Sequence, residues 1–144
     1  MPEAHLVVGC ALILANAIAF GVGGIAWFRA QASVRFWYLL RIAQLTVFLQ
    51  TMLGGLLVFT GREPDGDLHY VYGLLPLVVS FLAEGARAGA AEREVSDLDV
   101  EALPPEAQQQ VALAIIRREM GIMAVSCGVI LFLGLRAAGT SAAF

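Results

Sequence analysis

The chain has 144 residues, 59% of them hydrophobic and 15% charged, with a mean hydropathy of +0.77. Soluble domains are about 45–50% apolar and about a quarter charged, and a chain this short cannot hide such an excess in a water-excluded core. The net charge of −3 excludes the basic footprint of a nucleic-acid binder.

The first apolar run extends from Ala4 to Phe28 without a charge. It has no basic segment before it and is longer than a signal peptide's apolar core, so it reads as a retained span. The second run, Phe36 to Thr60, contains only Arg41. The third, Leu68 to Ala83, ends near Glu84 and Arg87, and the fourth, Met120 to Leu135, follows Arg117, Arg118 and Glu119. A helical span needs about 20 residues. The runs therefore predict spans at 4–28, 36–60, 68–88 and 111–137. None of them alternates with the period of a strand, and open sheet edges are excluded from lipid. The expected fold is an all-α, antiparallel four-helix membrane bundle forming one domain.

The connections differ in kind. Arg29 to Arg35 reads as a tight turn, Gly61 to Asp67 as a short acidic loop, and residues 89–110 as a long, polar, acidic loop. Within the last, Pro104-Pro105-Glu106 marks a helix start. The stretch from Glu92 to Glu106 reads as a solvated linker or a docking surface for a basic partner. Arg29, Arg35, Arg41, Arg87, Arg93, Arg117 and Arg118 flank one membrane face, against Arg62 and Arg136 at the other. Basic residues favour the cytoplasmic side. Both termini are thus expected outside a bacterial inner membrane, with the long loop inside.

Two helices share a pattern. His5-Leu6-Val7-Val8-Gly9 matches His69-Tyr70-Val71-Tyr72-Gly73 at an offset of 64, and Gly21 matches Gly85. At an offset of 74, Gly54 pairs with Gly128 and Arg62 with Arg136. The pattern suggests two tandem helical hairpins. Both histidines of the chain fall at the outer end of an inward-running helix, where a two-fold would set them facing each other. Two neutral imidazoles in apolar surroundings suit heme iron. Gly9 and Gly73, one turn deeper on the same faces, would let a flat macrocycle approach, as would Gly54 and Gly128. Arg62 and Arg136 are set to meet two propionates. A copper site of His5, His69 and the loop acids is the metal alternative. Read singly, each residue also has a structural role: His at the interface, Gly for close packing, Arg as an anchor.

The stretch Leu49-Gln50-Thr51-Met52-Leu53-Gly54-Gly55-Leu56-Leu57-Val58, followed by a loop and Leu68-His69, resembles a hairpin of heme A synthase. The resemblance covers about 30 residues. It implies a four-helix half-enzyme with a histidine pair at its outer end. His69 would be one ligand, and His5 the other if the helix order is permuted. The family's loop Glu corresponds to Gly66, flanked by Asp65 and Asp67, and its loop cysteine pair is absent. One bundle rather than two implies a single-heme relative, for electron transfer or heme handling, rather than a synthase.

Other polar groups have plainer readings. Arg41 and Glu84 lie near the inner face and pair with each other, or Glu84 pairs with Arg87 at i+3. Asn16, Gln44, Gln50 and Ser80 hydrogen-bond between helices. Pro76 is a kink site. Trp27, Trp37, Tyr38, Tyr70 and Tyr72 form interfacial belts, with Tyr72 also placed to flank a cofactor. Cys10 and Cys127 differ in depth and do not suggest a redox disulfide. No phosphate loop, zinc motif or Ser-His-Asp arrangement is present, so no catalytic residue is assigned.

The leading expectation is a heme b protein with axial ligands His5 and His69. A heme near one face needs a membrane redox partner or quinone. The rivals are a non-catalytic subunit docking through its polar loop and a small transporter. Assembly as a homo-oligomer or within a larger complex stays open.

Overall fold

Each apolar run becomes one helix, because a buried or lipid-facing backbone must satisfy its own polar groups. The computed structural model describes residues 2–62 and 66–140. Its elements are α1 (Pro2–Phe28), α2 (Val34–Phe59), α3 (Asp67–Val95), a short 3-10 turn (Val100–Ala102) and α4 (Pro105–Gly139). All four α-helices are long and apolar enough to cross a membrane. The protein is an integral membrane, antiparallel four-helix bundle.

The helix ends follow local chemistry. Ser33 caps α2, its Oγ accepting from the Phe36 N–H at 3.2 Å. Pro105 opens α4 at a position where its missing N–H costs nothing. α3 runs unbroken through the buried Pro76. The segment 89–110 is not the loop expected. α3 continues to Val95 and α4 starts at Pro105, so only residues 96–104 connect them. Ala, Glu and Arg in AGAAEREV favour helix strongly, and loss of apolarity marks where a span ends rather than where a helix does. At 35 residues, α4 is about 52 Å long, well beyond a ~30 Å hydrocarbon core. The polar ends of α3 and α4 therefore project as a hairpin, tied by Arg118 to Glu94.

Packing is uneven. α4 lies along both α1 and α3, and α1 lies along α2, whereas α2 and α3 meet sparsely. Around the bundle the order is α2, α1, α4, α3, which sets α1 diagonal to α3. Small residues allow the close α1–α2 and α1–α4 contacts. Phe36 covers Gly23, Trp27 covers Gly121 and Phe20 covers Gly128. One core layer gathers Ala19, Phe36, Leu40, Met120, Met123 and Cys127, and a second gathers Leu12, Val47 and Ile130. Asn16 is buried and donates to Leu12 O at 2.9 Å, within its own helix rather than between helices. The outer surface is apolar, with Phe81 70% exposed and Leu14 63% exposed. Such a surface is a liability in water and the normal state against lipid tails.

Candidate functional site

His5 lies in the first turns of α1 and His69 in the first turn of α3, where its N–H donates to Gly66 O at 3.1 Å. The antiparallel topology carries both to one end of the bundle. Their ring centroids are 6.2 Å apart and the planes are tilted by 54°. Both side chains are half-buried.

Each ring has a distinct second partner. His69 Nδ1 lies 3.1 Å from the Ala137 carbonyl oxygen on α4. A carbonyl only accepts, so Nδ1 carries the proton and Nε2 keeps the lone pair. His5 Nε2 lies 3.1 Å from Gln50 Nε2 on α2. His5 Nδ1 and Gln50 Oε1 are buried without a partner among the described residues.

Two glycines make the His5–Gln50 contact feasible. A Cβ on Gly9 would stand 3.1 Å from Gln50 Nε2, and one on Gly54 would stand 3.3 Å from His5 Cε1 and 3.9 Å from Nδ1. Each helix thus offers a polar side chain and, four residues on, a glycine that receives the polar side chain of the other. Gln50 makes the interhelical hydrogen bond expected of it, and the structure adds its partner, His5. The sequence signal for that pairing is His-x-x-x-Gly on one helix facing Gln-x-x-x-Gly on its antiparallel neighbour.

The pair suits a shared metal ion. With metal–nitrogen bonds of about 2 Å, two imidazoles on opposite sides of one metal have ring centres about 6 Å apart. A ligating histidine commonly donates its other N–H to a carbonyl, as His69 does. The expected glycine cradle is only partly assembled. Gly54 is covered by the His5 ring, whose Cε1 would stand 3.3 Å from a Cβ there, and Gly73 has nothing within 4 Å of its Cβ position. Gly9 is occupied by Gln50, and Gly128 by Phe20, which lies 15 residues inward of His5, or about 22 Å. The offset-74 pairing of Gly54 with Gly128 thus joins residues at unlike depths. Arg136 is exposed at the histidine end and stacks over Tyr72 at 5.6 Å. Arg62 is exposed just past α2, its N–H donating to Leu57 O at 3.0 Å. The described residues contain no group of three or more His, Cys, Asp and Glu that could hold a metal, and Glu63 and Asp65 of the acidic loop lie outside them.

The opposite end carries an ionic network across the sparse α2–α3 seam. Arg41 Nη1 donates to Glu84 Oε1 at 2.5 Å and to Gln44 Oε1 at 2.6 Å, while Gln44 Nε2 donates to Glu84 Oε1 at 2.8 Å. Arg87 donates to Glu84 Oε2 at 2.9 Å and to Glu119 on α4 at 3.4 Å, and stacks over Trp37 at 5.8 Å. Both pairings expected for Glu84 are made together. Cys10 is exposed and Cys127 buried, both as free thiols.

Comparison with protein-family models, curated proteins and solved structures finds no match to this chain.

Proposed function

We propose that this chain is a membrane-embedded heme b protein, with His5 and His69 as axial ligands, serving one-electron transfer or heme handling. The observation that carries the reading is the 6.2 Å separation of two half-buried imidazoles from diagonal helices at one end of the bundle. The Ala137 carbonyl supports it by orienting His69 with its Nε2 lone pair free. Bound heme would supply a reversible one-electron iron couple, and two imidazole ligands would leave no site for oxygen. His5 and His69 would hold the iron, and Arg136 and Arg62 would supply cations for propionates at that end.

The arginine distribution supports a plasma-membrane orientation with the histidine end and both termini outside. A centre near one face exchanges electrons with a partner protein or a quinone at that face, not across the whole bilayer. The test is a visible spectrum of detergent-purified protein, oxidised and then dithionite-reduced. A sharp Soret band with resolved α and β bands, lost in both His5→Ala and His69→Ala, is the expected result. A colourless protein after expression with added heme overturns the reading.

A further inference from the structure

The two histidines are not chemically equivalent despite their matched sequence context. His69 is held at Nδ1, which leaves Nε2 free. His5 is held at the opposite nitrogen: Nε2 faces the Gln50 amide, and Nδ1 is the buried nitrogen without a partner. The Cε1–Nδ1 edge of that ring packs on the bare backbone of Gly54, which fixes the ring's orientation. Resting on the heme reading above, we infer that His5 ligates through Nδ1 and His69 through Nε2, with Gln50 as the positioning residue that sets the His5 tautomer.

The Gln50 amide can do this because its two faces are chemically opposite. With its NH2 toward His5, it donates to Nε2 and leaves a protonated Nδ1 that cannot ligate. Turned over about its last bond, it offers Oε1 instead. Nε2–H then donates to that oxygen, and the lone pair of the neutral ring moves to Nδ1. Buried Oε1 and Nδ1, both without a partner among the described residues, gain their partners in the same step. Gly9 keeps the amide within reach, since a side chain there would press on Gln50. No charge or redox change is needed, only a proton moved between the nitrogens of one ring.

The experiment blocks one nitrogen at a time. Nδ1-methylhistidine placed at position 5 should abolish the low-spin Soret spectrum, while the same residue at position 69 should leave the spectrum low-spin, with weaker heme retention from the lost Ala137 hydrogen bond. Gln50→Glu, which can only accept, should retain heme and shift its reduction potential downward, and Gln50→Leu should release it at least tenfold faster. A low-spin spectrum with Nδ1-methylhistidine at position 5 overturns the inference and leaves the heme reading intact. Absence of heme from the unsubstituted protein overturns the reading itself.

Discussion

The His5 ring rests over Gly54 of α2 while the Gln50 amide rests over Gly9 of α1, so each helix holds the other's polar side chain against a bare backbone. Gly54→Val should drive branched methyls into the His5 ring and displace it. The expected result is loss of most Soret absorbance per mole of purified protein. Gly73→Ala, whose added Cβ meets nothing within 4 Å, should leave the spectrum unchanged.

Tight packing at the other end makes a separate prediction about stability. A Cβ on Gly23 would stand 2.4 Å from Phe36 Cε2, closer than real contacts allow, and Phe36 is fully buried. Gly23→Ala should destabilise the bundle by about 1–3 kcal/mol, the usual cost of overpacking. Mixed-micelle unfolding monitored by circular dichroism measures it. Phe36→Leu on the Gly23→Ala background should recover part of the loss.

Glu84 joins α2 to α3 by accepting from Arg41, Gln44 and Arg87 while only about a quarter exposed (28%). Glu84→Gln removes charge-assisted bonds of roughly 1.5–3 kcal/mol each before solvent screening, so a net loss of about 1–2 kcal/mol is expected. Arg118→Ala breaks an ion pair with its arginine 55% exposed and should cost under about 1 kcal/mol. Equal losses in the two variants would contradict this ranking.

Topology is checked by labelling from outside intact cells. With Cys10 and Cys127 replaced by Ala, Thr60→Cys should react with an impermeant maleimide directly. Ser96→Cys should react only after permeabilisation. The reverse pattern would invert the orientation inferred from the arginines.

The four spans were legible because lipid imposes a length and a composition that few other structures satisfy. The Pro105 helix start was legible for the same kind of local reason. Beyond the span ends the signal changed, and α3 ran on to Val95 on helix propensity and its packing against α4. At the site, the histidine pair could be found because the chain's two histidines stand in the same His-x-x-x-Gly context on two helices. The interhelical bond of Gln50 was legible from its own helix, but its partner was not, since that is set by the neighbouring helix. Gly128 misled because a glycine serves an aromatic ring as readily as a cofactor, and in α4 it serves Phe20.

α4 packs against α1 on one side and α3 on the other, whereas α2 and α3 are sparsely joined and the Arg41–Glu84 contact fastens them at the arginine end. The bundle is therefore built like a clothes-peg. Its spine is α4, and its two outer helices, α2 and α3, are clasped by side-chain charges at the arginine end.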